Sequence, residues 1–316
     1  MSKLTALVVY ASDQTHSTFS KACKLAGLNP SNIRLLPTSL DTAFSLSPST
    51  LRKAIQDDVA SGLVPLYLCV TVGTTSTTAI DPVGQLADVA NEYDMWIHID
   101  AAYGGSACIC PEFRGYLDGV ERVDSLSLSP HKWLLSYLDC CCLWVKSPNL
   151  LVQALSTNPE YLKNKQSESD SVVDFKDWQV GTGRRFKSLR LWLILRSYGV
   201  SNLQGHIRSD VQMAKIFEGF VKSDPRFEIM TPRTFALVCF RLKPTHKLDG
   251  SKHTEMMNGK LLEWVNSSGR IYMTHTKVGG EYLLRFAVGT TLTEERHVVS
   301  AWKLIKEGAD VLLKSA

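Results

Sequence analysis

The sequence has no apolar run that approaches the length of a membrane span. Its first apolar stretch, residues 4–11, is too short for a signal-peptide core with a cleavage site. The formal net charge of +4 over 316 residues is small, and the basic cluster at 184–187 is too short to indicate binding to nucleic acid or an anionic membrane. We therefore expect a cytoplasmic protein that binds neither nucleic acid nor membrane.

The eight cysteines include no Cys-x-x-Cys pair and no histidine cluster accompanies them, so the sequence predicts no metal site. Cys140, Cys141 and Cys142 are consecutive, in an apolar stretch that is typical of a strand. Cysteines in such a stretch behave as small apolar residues, and core packing is the favoured interpretation.

The hydrophobic pattern predicts an α/β fold. A chain of this length with 44% hydrophobic residues can bury a large core. Strand-like segments lie at 4–11, 65–72, 96–100, 125–128 and 141–145, and helical patterns lie near 48–60, 82–93 and 185–198. This alternation favours a mainly parallel sheet covered by helices.

After Gly199 the pattern changes. A long helix at 203–221 is followed by strand candidates at 227–230, 235–242, 269–276 and 281–288 and by a closing helix at 293–313. We expect a large domain over residues 1–202 and a small carboxy-terminal α+β domain over residues 203–316.

Two residues in the first part suggest a specific chemistry. Asp100 ends the apolar segment Trp96–Asp100, and Lys132 follows it by 32 residues within the run 129–133. Pyridoxal phosphate needs an amine that holds it as a Schiff base and a carboxylate beside its pyridine nitrogen. Taken singly, each residue has a common structural explanation, because an aspartate at a strand end is usually a turn former or helix cap and a lysine beside tryptophan usually packs its stem on the ring.

Several motifs together make the pattern specific. They lie at residues 12–17, 72–75, 98–103, 130–133 and 183–187. With them the whole chain resembles the group II pyridoxal-phosphate decarboxylases, and among these the plant aromatic L-amino-acid decarboxylases and their aldehyde-forming relatives. The resemblance implies the pyridoxal-phosphate-dependent transferase-like fold (fold type I), pyridoxal 5'-phosphate as cofactor, an aromatic L-amino acid as substrate and a homodimer in the full-length form. It also implies that Thr75 and Ser129 hydrogen-bond the cofactor or its phosphate.

The resemblance gives four further residues a role in the cofactor site. Lys132 corresponds to the Schiff-base lysine, Asp100 to the partner of the pyridinium nitrogen and Ala102 to the small residue against one face of the ring. His16 corresponds to the histidine that stacks on the opposite face. Without the motif, a histidine in this polar loop would be better explained as a solvated residue.

The stretch 158–183 is polar, lacks a sustained period and is typical of a long mobile loop that acts as a lid. Its charged residues include Lys163, Lys165, Glu168 and Asp170. In the decarboxylases that the chain resembles, this lid carries an Asp-Tyr pair whose hydroxyl protonates the substrate carbon after carbon dioxide leaves. Here the pair is Asp174-Phe175, and phenylalanine has no proton to give.

The missing acid determines the predicted product. A positioned general acid typically speeds proton transfer by about 10²–10⁴-fold. Without it, the electron-rich species that loss of carbon dioxide leaves on the cofactor has time to reduce dioxygen to hydrogen peroxide. Hydrolysis of the resulting imine then releases an aldehyde and ammonia. Aromatic acetaldehyde synthases carry phenylalanine at this position. We therefore predict an aldehyde synthase that uses dioxygen and acts on phenylalanine, tyrosine or dihydroxyphenylalanine. Two alternatives stay open: a decarboxylase that makes aromatic amines, with Phe175 a neutral packing substitution, and an inactive remnant.

In the family that the chain resembles, a long amino-terminal part precedes the position that matches Met1. That part holds the main phosphate-binding loop and aromatic residues of the substrate pocket. We therefore expect an amino-terminally truncated chain whose sequence does not identify the particular aromatic amino acid.

Overall fold

The computed structural model describes residues 3–157, 159–169, 172–244 and 250–314. Its first sheet has six strands: β1 (Leu7–Ser12), β2 (Ile33–Leu36), β3 (Val64–Thr71), β4 (Trp96–Asp100), β5 (Ser125–Leu128) and β6 (Cys142–Val145). They lie in the order β2-β1-β3-β4-β5-β6. The first five are parallel and β6 is antiparallel to β5.

The second sheet is antiparallel. Its strands are β7 (Phe227–Ile229), β8 (Leu237–Leu242), β9 (Thr274–Val278) and β10 (Glu281–Ala287), in the order β7-β8-β10-β9. A mainly parallel sheet with a separate antiparallel sheet confirms the predicted α/β fold class. The predicted domain boundary at residue 202 stays a prediction.

The α-helices are α1 (Thr18–Leu25), α2 (Pro48–Ala60), α3 (Val83–Asn91), α4 (Pro130–Trp133), α5 (Pro148–Leu155), α6 (Lys165–Glu168), α7 (Lys187–Ser223), α8 (Ser251–Ser267) and α9 (Glu295–Lys314). Gly199 interrupts α7 with φ of +71° and ψ of 164°, outside the helical region. The predicted change of pattern after Gly199 falls at this break. No helix in the described ranges is both long enough and apolar enough to cross a bilayer.

Two apolar clusters form most of the core. One lies between the first sheet and its covering helices, with Leu68 and Ile99 fully buried, and the other lies between the second sheet, α7, α8 and α9, with Phe217 and Phe240 fully buried. Because β1, β3, β4 and β5 are parallel neighbours, their carboxyl ends lie at the same edge of the sheet.

Several boundaries differ from the sequence prediction. The segment predicted as a strand from residue 4 begins with a 3₁₀ helix, Lys3–Ala6, and β1 starts only at Leu7. The hydrophobic pattern also does not predict α1, α4, α5, α6, α8 or β2. The eight residues of α1 bury only Cys23, so its pattern is that of a polar loop, and β2 has four residues, too few for a visible alternation.

Candidate functional site

Asp100 is the last residue of β4, at the carboxyl edge of the parallel sheet. Ile97 and Ile99 are fully buried in the cluster with α3, so His98 and Asp100 face the opposite side of the sheet. The Oδ1 atom of Asp100 accepts the main-chain N–H of Ala102 over 3.0 Å. This bond holds the carboxylate at the strand end, where its side chain is partly exposed.

Lys132 lies in the one-turn helix α4 that follows β5, and its side chain is exposed. Both sequence neighbours are fixed. His131 Nδ1 lies 2.7 Å from the carbonyl oxygen and 3.1 Å from the main-chain nitrogen of Cys140. Trp133 Nε1 donates to Oδ2 of Asp210 on α7 over 2.8 Å. The Lys132 amine therefore projects from a backbone that is anchored on both sides.

Main-chain hydrogen bonds connect the two segments. Asp100 pairs with Ser127 across β4 and β5, and beyond the strands Ser129 N–H donates to the Ala102 carbonyl over 3.2 Å. Lys132 N–H in turn donates to the Ser129 carbonyl over 2.9 Å. Four residues that the sequence predicted for one site, Asp100, Ala102, Ser129 and Lys132, are therefore connected within two adjacent strand ends.

Thr75 is exposed in the otherwise largely buried loop after β3, and the second sheet holds this loop in place. Arg285 on β10 donates from Nη2 to the Thr75 carbonyl over 2.7 Å and from Nε to the Ser76 carbonyl over 3.1 Å. Thr75, Lys132, Tyr103 and Arg285 line a cleft of about 350 Å³. Burial lowers the pKa of the Arg285 guanidinium.

The other side of the edge forms a second, largely apolar cleft of about 600 Å³, which Asp100, His98, Tyr67 and residues of α1 line. Burial lowers the pKa of His98, with the charge of Asp100 opposing, so the neutral imidazole is favoured. Its ring nitrogens lie 2.8 Å from Ser125 Oγ and 3.1 Å from Ser127 Oγ.

Of the predicted site residues, Thr75 and Lys132 line the cleft of about 350 Å³ and Asp100 lines the second cleft, whereas Ala102 and Ser129 lie at the strand ends between them. The remaining two, His16 and Phe175, line neither cleft. His16 is exposed in the turn before α1, and its Nδ1 accepts the main-chain N–H of Thr18 over 3.2 Å. Phe175 is 53% exposed, with the guanidinium carbon of Arg184 at 4.6 Å from its ring centroid.

Only part of the predicted lid can be described. Asn158 and Asp170 lie outside the described residues. Beyond the gap at 170–171, Phe175–Trp178 forms a 3₁₀ helix in which the Asp174 side chain accepts the Lys176 N–H over 3.2 Å. The lid function stays a prediction.

Asp100, Lys132 and the thiol of Cys141 are titratable groups near the carboxyl edge of the sheet. Within the described ranges, neither Asp100 nor Lys132 forms a side-chain ion pair. Burial raises the pKa of the Cys141 thiol, a hydrogen bond with the Ser129 side chain lowers it, and the charges of Asp100 and Lys132 raise and lower it respectively. The prediction that the consecutive cysteines pack in the core holds for the buried Cys140 but is wrong for Cys141, which is exposed beside the candidate site.

Sequence reasoning missed three residues that shape the site. Tyr103 stacks on Trp133 with ring centroids 4.8 Å apart, Arg285 holds the Thr75 loop and Asp210 anchors Trp133. Tyr103 is the last residue of the motif at 98–103, so the sequence did contain a signal for it. The other two have no local signal, since each acts on a segment far away in the sequence.

The conserved domain of the pyridoxal-dependent decarboxylases matches residues 2–243, more than half of the chain. The chain belongs to this decarboxylase family. This confirms the resemblance that the motifs carried, and it identifies pyridoxal phosphate as the cofactor of the family.

Curated relatives and solved structures agree with the assignment. A tryptophan decarboxylase of Camptotheca acuminata is 76% identical over 98% of this chain and 62% of its own length. A phenylacetaldehyde synthase of a Rosa hybrid cultivar is 56% identical over 98% and 62%. The crystal structure of Oryza sativa TDC with PLP and tryptamine superposes with a TM-score of 0.96 at 56% identity, over 98% of this chain and 64% of that one. The chain thus spans less than two thirds of the length of these relatives.

The residues at the sheet edge fit the cofactor. Pyridoxal phosphate presents a carbonyl carbon to an amine, a ring nitrogen to an acid and a phosphate to hydroxyl and amide donors. The edge offers an amine and a carboxylate without ion-pair partners in the described ranges, together with the hydroxyls of Thr75 and Ser129. When bound, the cofactor supplies an electron sink for charge that develops at the substrate carbon.

Proposed function

We propose that this chain carries the cofactor site of an aromatic L-amino-acid decarboxylase of the tryptophan or tyrosine type, which releases carbon dioxide and an aromatic amine. The observation that carries the proposal is the linked pair Asp100 and Lys132. Their acid and amine lie at adjacent strand ends, joined through the hydrogen bond between Ser129 and Ala102. The 76% identity to a protein named tryptophan decarboxylase supports the amine product.

Each residue that was predicted for the cofactor site has a role in this proposal. Lys132 binds the cofactor through its amine, and Asp100 holds a proton at the ring nitrogen, because a nearby carboxylate favours the charged form of its partner. The small side chain of Ala102 leaves room for one face of the ring, and the resemblance assigns the other face to His16, whose imidazole lies outside both clefts in this structure. The hydroxyls of Thr75 and Ser129 hydrogen-bond the cofactor or its phosphate.

The proposal predicts a defined set of products. Purified chain supplied with pyridoxal phosphate and, in turn, tryptophan, tyrosine, phenylalanine and dihydroxyphenylalanine should release the amine from at least one of them. Amine, aldehyde, ammonia and peroxide are measured in the same sample. Absence of carbon dioxide release from all four substrates, by a chain that holds cofactor, would contradict the proposal. A Lys132→Ala chain controls for reaction with free cofactor.

A second candidate rests on Phe175. An aromatic ring without a hydroxyl at the lid position favours an aldehyde synthase, in which amino acid, dioxygen and water yield aldehyde, carbon dioxide, ammonia and hydrogen peroxide. The 56% identity to a phenylacetaldehyde synthase is compatible with it. We rank it second because the tryptophan decarboxylase is the more similar of the two relatives. Equal amounts of peroxide and aldehyde, in place of amine, would reverse this order.

The homodimer that the resemblance implies also remains a prediction. The first half of α7 leaves several large apolar side chains exposed, among them Leu189, Trp192 and Leu193. Such a surface is compatible with association with another chain. Sedimentation of the purified chain would test it.

A further inference from the structure

We infer that Asp210 is a positioning residue for the Lys132 amine, because it accepts the indole N–H of Trp133 and so fixes the orientation of helix α4. The inference rests on the proposed function, since it takes Lys132 as the residue that binds the cofactor. Asp210 does not line the cleft beside Lys132 and does not contact Lys132 itself, so it acts through Trp133.

The bond between Trp133 and Asp210 is buried and joins distant parts of the chain. Trp133 and Asp210 are each 1% exposed, and Nε1 of the indole lies 2.8 Å from Oδ2 of the carboxylate. A buried carboxylate is costly unless it is hydrogen-bonded or paired. Its other neighbour is His206, one turn earlier on α7, whose Nε2 lies 3.4 Å from Oδ2. Oδ2 therefore has two polar neighbours, of which the Trp133 indole N–H, at 2.8 Å, is the one at hydrogen-bond distance.

Helix α4 depends on such external contacts. It has four residues, and a single turn of helix is unstable in isolation. Trp133 is stacked on Tyr103, with centroids 4.8 Å apart and planes 8° apart, and meets the edge of Phe235. Stacking fixes the plane of the indole but allows it to slide and rotate within that plane. The directional hydrogen bond to Asp210 removes this freedom.

The consequence for Lys132 follows from its position. It immediately precedes Trp133, and His131 on its other side lies against the main chain of Cys140. When both neighbours are fixed, the Cα–Cβ direction of Lys132 is fixed as well, so the amine projects into the cleft lined by Thr75 and Tyr103. Loss of the bond to Asp210 should release one of the two anchors and lower the fraction of chains in which the amine is correctly placed.

The test measures cofactor attachment at Lys132 directly. Chain is incubated with increasing pyridoxal phosphate and reduced with borohydride, and peptide mass spectrometry gives the labelled fraction at Lys132. The exposed Lys215 on α7 serves as reference for non-specific labelling. In Trp133→Phe, which keeps an aromatic ring but loses the donor, we expect the half-saturating concentration to rise about tenfold or more. In Asp210→Asn the amide oxygen still accepts the indole N–H, and the concentration should stay within about threefold.

Two further chains separate positioning from stability. The double variant Trp133→Phe with Asp210→Leu removes the donor and the acceptor of this bond together, so neither the indole N–H nor the carboxylate is left unpaired, and the fold should persist while labelling remains weak. Glu112→Gln breaks the exposed ion pair with Arg208, two residues from Asp210, and should change nothing. Melting temperatures are recorded for all chains.

The outcomes are distinguishable. Suppose that Lys132 is strongly labelled in the unmodified chain and that Trp133→Phe and the double variant reach half-saturation at the same cofactor concentration as the unmodified chain. That result overturns the positioning role and leaves the proposed function standing. Absence of Lys132 labelling in the unmodified chain overturns the proposed function and this inference with it. Labelling that falls only in step with the folded fraction in every variant would show that the pair merely stabilises the fold, which also overturns the inference.

Discussion

The main-chain N–H of Ser129 donates to the carbonyl of Ala102 over 3.2 Å, across the gap between the ends of β4 and β5. Ala102 also donates its own N–H to the Asp100 carboxylate, and Ser129 accepts the N–H of Lys132. One short chain of hydrogen bonds therefore runs from the candidate acid to the candidate amine. The relative position of the two groups is set by backbone geometry rather than by flexible side chains.

The first prediction concerns Lys132. Replacement by alanine removes the amine that attaches the cofactor, so Lys132→Ala should lose the visible absorbance of the bound cofactor and at least ~10³-fold of turnover. Absorbance after gel filtration and product formation measure the two effects. Lys215→Ala, on the exposed surface of α7, serves as the matched control. Borohydride labelling of another lysine in the unmodified chain would show that the assignment is wrong.

The second prediction concerns Asp100. In Asp100→Asn the side-chain oxygen still accepts the Ala102 N–H, but the negative charge that favours a protonated ring nitrogen is gone. We expect the variant to retain cofactor and to lose about 10²-fold or more of its turnover. Asp94→Asn is the control, because Asp94 is exposed in the turn two residues before β4 and its φ of +53° suits asparagine. A rate near that of the unmodified chain would exclude this role for Asp100.

The third prediction is a pH dependence at Asp81, which fixes the segment after the Thr75 loop. Asp81 is fully buried and accepts the main-chain N–H groups of Leu46 over 2.7 Å and Thr71 over 2.8 Å. Burial raises the pKa of this carboxyl from 3.8 to about 6, with the two N–H donors opposing. Since the folded chain holds the proton more tightly than the unfolded chain, the stabilisation is complete below pH 3.8 and is lost as the pH rises through about 6.

The measurement compares Asp81→Asn with the unmodified chain by urea unfolding at several pH values. The asparagine does not titrate, so the free energy of unfolding of the unmodified chain should fall relative to the variant by about 2 kcal/mol between roughly pH 4 and pH 7. The change with pH is the diagnostic quantity, because the amide also disturbs one of the two N–H contacts at every pH. The exposed Asp41→Asn should show no such change. Parallel curves for Asp81→Asn and the unmodified chain would contradict the raised pKa.

The parts of the site that the sequence predicts are those in which local pattern and topology coincide. Asp100 and Lys132 each follow a short apolar segment, and parallel strands bring such ends to one edge, so their proximity follows once the strands are recognised. Ala102 and Ser129 are adjacent to them in the sequence and inherit the same position. The local sequence is therefore enough to predict where these residues lie.

The parts that the sequence does not predict depend on contacts between distant segments. Arg285 reaches the Thr75 carbonyl from β10, and Asp210 reaches Trp133 from α7, and neither residue differs in its local pattern from an ordinary surface residue. Helix α1 was missed for a related reason, because a helix that buries only Cys23 has almost no apolar stripe. Such contacts are decided by the tertiary arrangement, which the periodicity of one segment does not encode.

The last prediction concerns Phe175 and decides between the two proposed products. After carbon dioxide leaves, the substrate carbon must receive a proton, and a lid residue with a hydroxyl would supply it, whereas phenylalanine does not. Arg184 lies over the ring at 4.6 Å, and a tyrosine ring binds a cation equally well, so Phe175→Tyr should preserve this contact while adding one oxygen atom at a half-exposed position. Any change in product then reports the acid rather than altered packing.

We expect the unmodified chain to release mainly amine with a minor fraction of aldehyde and peroxide, and the variant to raise the ratio of amine to peroxide by about tenfold or more. The ratio is measured under air for both chains, with Phe175→Leu as the control that lacks a hydroxyl and should keep the original ratio. An unchanged ratio in Phe175→Tyr would mean that the carbon receives its proton from another group, and aldehyde as the main product of the unmodified chain would make the aldehyde synthase the better description.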